Sequence, residues 1–341
     1  MKKALENARL LCDGMLGQNY WFNGCMDYLM ECLGEARDYD YCFFSGVTGD
    51  SFTQIYSKNP YCSTLCLTDR LLANVIEKAF DACGYSFDFI TGVHAENRSH
   101  YYERIRNYID RGIPVIVKSK LTGCFDNYGV ICGYDDDHFY YLFGEDKKPR
   151  IYPERFFELI FVNDKKERVA LPEAYRKTVM EIPSMLTRPE TQDFSFGRQA
   201  FIDWAASLRN GMFDGFSNDD FVWYTHSGTF SCWNMHGNYL CILGTNACAG
   251  GFLQRALELN PDMKFIEQLL PLFQKHNGNG FGELIAMENG FELYPQILKD
   301  KKRMEPICNK ILETGKILDE VLDVFENISP QYKINMKAHK S

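Results

Sequence analysis

Cys25 stands in NYWFNGCMDYLMECLG, the stretch of this chain best suited to covalent chemistry. Met26, Leu29, Met30 and Leu33 recur at intervals of three or four residues, and Gly34 is a natural stop. That spacing predicts a helix over 24–34 with Cys25 at its start. A thiolate there is stabilised by the helix dipole and by unpaired backbone N–H groups. The same groups can hold an oxyanion. Gln18, seven residues upstream, offers a side-chain amide to complete such an oxyanion hole. The competing reading is a buried core cysteine, one of 13, and local spacing alone favours it.

The order of elements along the chain adds to the chemical reading. About a hundred residues after Cys25 come a strand, a hairpin and an acidic pair, Glu145 and Asp146. The hairpin is FDNYGVICGYDDDHFYYLF, residues 125–143, two apolar runs around an Asp-rich turn. A nucleophile on a helix, a base at the head of a strand and an orienting group after the next strand are the parts of a papain-like cysteine enzyme. That chemistry needs the base near the sulfur and the third group near the base.

The elements NGCMDYLMECLG, FFSGVTGDSFTQIY, GIPVIV, YGVICGYDDDHFYYLF and PERFFELIFV resemble the N-terminal domain of the butirosin biosynthesis protein H family. That family is similar to the bacteriocin-leader peptidases. The helical second half, with AFIDWAASL, resembles the region that accompanies the domain. The resemblance implies a papain-like fold and transfer of an acyl group from a carrier-protein thioester to a small amine through an acyl-cysteine. It places Cys25 as nucleophile and Glu145 or Asp146 as the orienting acid. The family's histidine heads the strand ending in Gly-Tyr-Asp, and counting back from Gly133 puts that position at Asn127. Asparagine does not take up and return a proton near neutral pH. It orients a group or a water.

No other histidine stands at that position. His138 opens the second strand of the hairpin and is expected beside Tyr134, seven residues and about 23 Å from the active end. His94, His100, His226 and His236 are each expected in surface or structural roles. Three functions remain open: cysteine-dependent acyl transfer, a non-catalytic binding protein on a cysteine-enzyme scaffold, and a peptidase with a relocated histidine. Transfer from an activated thioester needs less general-acid help than cleavage of an amide, so Asn127 weighs most against proteolysis.

The elements that must carry these residues read as follows. Helices are expected over 69–83, stopped by Gly84, and over 99–111, capped by Ser99 and stopped by Gly112. YSFDFI and GIPVIVKS read as strands, PERFFEL as a short helix begun by Pro153, and LIFV closes the block. Charge clusters and three prolines, Pro172, Pro183 and Pro189, mark 166–192 as a linker. Beyond it, FGRQAFIDWAASLRNG, DMKFIEQLLPLFQKH, ELIAMENGFELYPQIL and 301–328 read as helices. The expected architecture is α+β: a papain-like domain over 1–165, then a mainly α-helical domain over 193–330 and a tail over 331–341. From Phe221 to Gln254 no Asp, Glu, Lys or Arg occurs in 34 residues. The plainer reading is a buried segment facing the first domain, the sharper one a pocket wall for a polar ligand.

Net charge is −9 with no basic stripe. Nucleic acid and anionic membrane are therefore not expected as partners. Glu6, Arg9 and Asp13 interrupt the N-terminal apolar residues, so neither a signal peptide nor a membrane span is expected, and the expected location is cytoplasmic. The cysteines read as reduced, mostly core thiols. Cys62 and Cys66 form a C-x3-C pair with no second pair at zinc spacing. No metal or cofactor is expected.

Overall fold

The computed structural model describes the chain except for residues 1–2, 7–8, 59–73, 94–95, 120–127, 145, 152–155, 167–168, 212–222, 225–228, 231–238, 241–242, 244–245, 289–292, 294 and 329–341. A mixed α/β N-terminal region is followed by a mostly α-helical C-terminal region. The chain divides into two compact units. The first holds Met1–Thr48, Leu67–Val169 and Tyr224–Gly228; the second holds Gly49–Cys66, Ala170–Trp223 and Thr229–Ser341.

The first unit is built on an antiparallel sheet. Its strands are β1 (Lys3–Ala4), β3 (Tyr85–Thr91), β4 (Val115–Ser119), β5 (Tyr128–Tyr134), β6 (Phe139–Phe143) and β7 (Phe156–Lys165). β6 and β1 both pair with β5, and β4, β7 and β3 follow in that order. Four helices accompany them: α1 (Trp21–Cys32), α2 (Tyr41–Val47), α3 (Val75–Cys83) and α4 (Arg98–Asp110). Strand β5 is buried from Tyr128 to Gly133, as continuous apolar runs require of a strand covered on both faces.

The expected hairpin is present. Tyr134 pairs with Phe139 and Gly133 with Tyr140, and the register shifts between Ile131 and Gly133. The Asp135 side chain accepts from the amides of Asp137 and His138 and from the Tyr140 hydroxyl. This is an Asx-type turn, the reason an Asp-rich segment closes the ribbon. Gly84 and Gly112 stop their helices with φ of 76° and 83°, the left-handed conformation that glycine adopts without penalty.

Several expected boundaries shift. Helix α1 begins at Trp21, three residues before the expected start. Helix α4 is preceded by Asn97, so Ser99 lies inside it and not at its cap. Phe156 to Glu158, expected in a helix, belong to β7, where pairing with both β3 and β4 outweighs local preference.

The second unit contains β2 (Ile55–Ser57), paired antiparallel with β8 (Phe194–Phe196). Its helices are α5 (Leu171–Leu186), α6 (Gly197–Arg209), α7 (Ala247–Leu259), α8 (Ile266–Asn277), α9 (Pro295–Leu298) and α10 (Lys301–Glu326). The stretch read as a linker holds α5, which buries Tyr175, Val179, Ile182 and Leu186. Pro172 lies in its first turn, where proline starts a helix and does not break one. Helices α6 and α10 run antiparallel, tied by Arg198 to Asp319 at one end and Arg209 to Glu305 at the other. Phe201, Trp204, Ala205 and Leu208 of α6 are buried, as their spacing predicts. ELIAMENGFELYPQIL does not form one helix: a π-helical turn over Gly278–Leu284 runs into its start, and the short α9 forms its last four residues.

Of the uncharged stretch, Tyr239, Leu240, Leu243, Ala249, Phe252 and Leu253 are buried. They pack within their own unit: Tyr239 against Tyr56 and Trp204, and Phe252 against Phe52 and Tyr175.

Candidate functional site around Cys25

Cys25 is the fifth residue of α1 and is fully buried. In a helix begun at Trp21 the unpaired amides belong to the first turn, and the fifth residue's amide already bonds back to residue one. The dipole's influence fades within that first turn. Cys25 thus sits one turn deeper than the sequence predicts, which weakens the helix-start argument for a stabilised thiolate.

Helix α1, the head of β5 and the end of β6 meet at one edge of the sheet. Phe22 meets Tyr128, the first residue of β5, edge-to-face at 5.3 Å between ring centroids. Trp21 lies so close to Gly144, just past the end of β6, that a Cβ there would fall 2.3 Å from the indole. Gly144 has φ of 43° and its carbonyl accepts from the Cys12 amide at 3.1 Å. Because Gly129 pairs with Phe143, the head of β5 and the end of β6 are the same edge. Gly24 seats the segment before α1: a Cβ there would be 2.3 Å from the Leu11 carbonyl oxygen. Farther along α1, Tyr28 and Cys32 lie beside Cys132 on β5. Cys25 falls between these two levels of helix–strand contact.

Gln18 is half-buried, and its side-chain oxygen accepts from the Asp13 amide at 2.9 Å. A backbone N–H only donates, so the other end of this amide is its NH2 group, the end an oxyanion needs. Asp146 is buried, and its carboxylate accepts from the Phe143 amide at 3.2 Å and pairs with Arg150 at 3.1 Å. Its own amide donates to the Phe143 carbonyl. These bonds close the turn after β6, so Asp146 has a structural task. Asn127 and Glu145 lie outside the described residues, as do His94, His226, His236, Cys62 and Cys66.

His138 sits in the hairpin turn, where its carbonyl accepts from the Asp135 amide at 2.9 Å and its ring nitrogen lies 3.4 Å from the Asp135 carboxylate. It opposes Asp135, one residue beyond the expected Tyr134, at the far end of β5 from the Cys25 edge. His100 is exposed in the first turn of α4.

Sequence reasoning missed a polar row at the same edge, buried at Tyr128 and Glu158 and half-buried at Lys118. Lys118 of β4 pairs with Tyr128 of β5 on one side and Glu158 of β7 on the other. The Tyr128 hydroxyl donates to Glu158 at 3.0 Å with both residues fully buried, and the Lys118 ammonium lies 5.2 Å from the Tyr128 ring centroid. Buried carboxylates persist where such partners hold them. The signal was a lone Glu in the apolar run FFELIFV, disguised by its assignment to a helix.

Among the described residues no group of three His, Cys, Asp or Glu side chains could hold a metal ion. Among them, too, no helix is long and apolar enough to cross a membrane. Of the described cysteines, Cys12, Cys25, Cys83, Cys132, Cys248 and Cys308 are buried. No protein-family model matches the chain, and no curated protein matches it.

Proposed function

We propose that the first unit is a papain-like scaffold on which Cys25 accepts an acyl group from a thioester and passes it to a small amine. The observation that carries this reading is the meeting of α1, the head of β5 and the end of β6 at one edge. These are the places where such an enzyme keeps its nucleophile, its base and its orienting group. In the first step the Cys25 sulfur attacks the thioester carbonyl, and the donor's thiol leaves with the cysteine's proton. In the second the amine attacks the acyl-cysteine, and the Cys25 thiol is regenerated. The tethered amide of Gln18 is the candidate donor to the oxyanion in both steps. With Asn127 at the histidine position, the donor must be activated, as a carrier-protein or other acyl thioester is. Incubation with an acyl N-acetylcysteamine thioester and a primary amine tests this. Amide product is expected from the native chain and none above background from Cys25→Ala; equal product from both refutes the proposal.

A second reading, a non-catalytic binding protein on the same scaffold, is favoured by the complete burial of Cys25 and by the structural work of Asp146. It predicts a Cys25 thiol that resists iodoacetamide in the folded protein. The acyl-transfer reading requires that thiol to be alkylated.

A further inference from the structure

We propose that the cleft between the end of α6 and the start of α10 binds a small organic anion carrying a short apolar tail. The cleft encloses about 200 Å³, below the size of most drug-like sites, which limits the ligand to a short tail. Leu208, Leu298 and Met304 line it, each nearly buried by its own packing, and supply an apolar floor. Lys299 and Lys301 line the same cleft and are exposed.

The surrounding charges leave these two lysines in excess. Arg209 is held by Glu305 at 2.8 Å and by Asn309 at 2.8 Å, so Glu305 is already neutralised from within the cleft. Arg303 is paired with Glu288. The Asp300 carboxylate caps α10, accepting from the amides of Lys302 and Arg303. Among the described residues no carboxylate pairs with Lys299 or Lys301. Two unneutralised ammonium groups at the lip of an apolar cleft, in a chain of net charge −9, are complementary to an anionic head on an apolar body. This inference does not rest on Cys25 and holds if the acyl-transfer reading fails.

Calorimetric titration with hexyl phosphate tests it, with hexanol and inorganic phosphate as controls. One equivalent of hexyl phosphate is expected to bind, at least tenfold more tightly than either control. The Lys299→Gln/Lys301→Gln variant, both changes being on the surface, is expected to bind at least tenfold more weakly and to unfold at the native temperature. An unchanged affinity in that variant, equal affinity for inorganic phosphate, or no binding at millimolar hexyl phosphate overturns the proposal. Retention of the chain on phosphatidic acid vesicles without hexyl phosphate binding also overturns it, since the ligand is taken from solution.

Discussion

At Cys25 packing and chemistry make different demands on one residue. Its neighbours at Phe22, Tyr28 and Cys32 all face β5, which makes position 25 part of the helix–sheet packing. Position 127, one residue before Tyr128, holds asparagine where the proposed acyl-transfer site would place an imidazole. Restoring that group gives the first prediction: Asn127→His raises acyl-cysteine formation at pH 7 by at least about tenfold, below what a positioned base usually contributes. Stopped-flow release of the donor thiol measures it. His276, at the end of α8, gives a second. It is fully buried, with Nδ1 3.1 Å from the Asn246 amide nitrogen and Nε2 without a hydrogen-bond partner among the described residues. Burial pushes its pKa down to about 4. The unfolded chain then binds a proton near pH 6.5 that the folded chain refuses. Stability from this residue is complete above about pH 6.5 and falls as pH drops towards 4, by about 3 kcal/mol in all. Urea unfolding from pH 7 to pH 4 should show that loss in the native chain and its absence in His276→Phe. The hairpin was legible because it rests on local spacing. The Tyr128–Glu158 pair was not, since it joins residues 30 apart through strand register.

At the scale of elements, glycine positions fix how closely segments approach. Gly24→Ala would drive a methyl into the Leu11 carbonyl, a backbone atom with no rotamer to escape through. A cost of about 2 kcal/mol or more is expected, read as a lower urea midpoint. Gly315 of α10 sits against Phe201 of α6, so close that a Cβ at position 315 would fall 2.7 Å from the Phe201 Cβ. Gly315→Ala should cost about 1–3 kcal/mol by the same measurement. Most strands and helices could be read from their apolar periods. The misread elements share a cause. Helix α1 starts early without any side-chain cap, because packing of Trp21 on Gly144 sets its start. Strand β7 overrides the helical look of PERFFEL through ladders on both sides. Helix α5 hides behind prolines, of which Pro172 is a start signal and Pro183 is tolerated inside.

At the scale of the whole molecule, the division between units does not follow a single cut in the chain. Gly49–Cys66 belongs with the C-terminal helices, and β2 within it finds its partner in β8, about 140 residues later. A sequence pattern gives no hint of such a return. A fragment ending at residue 169 should therefore leave Ile55, Tyr56 and Ser57 without their ladder. Hydrogen exchange is expected to show protection at Ile55–Ser57 in the full chain and its loss in the fragment. Acyl transfer by the first unit, the central claim, stands or falls on a single covalent adduct. After brief exposure to an acyl N-acetylcysteamine thioester without amine, peptide mapping by mass spectrometry locates any acyl group. One acyl group per chain is predicted, on the peptide containing Cys25, discharged when amine is added. Acylation spread over other cysteines, or none on Cys25, would contradict it.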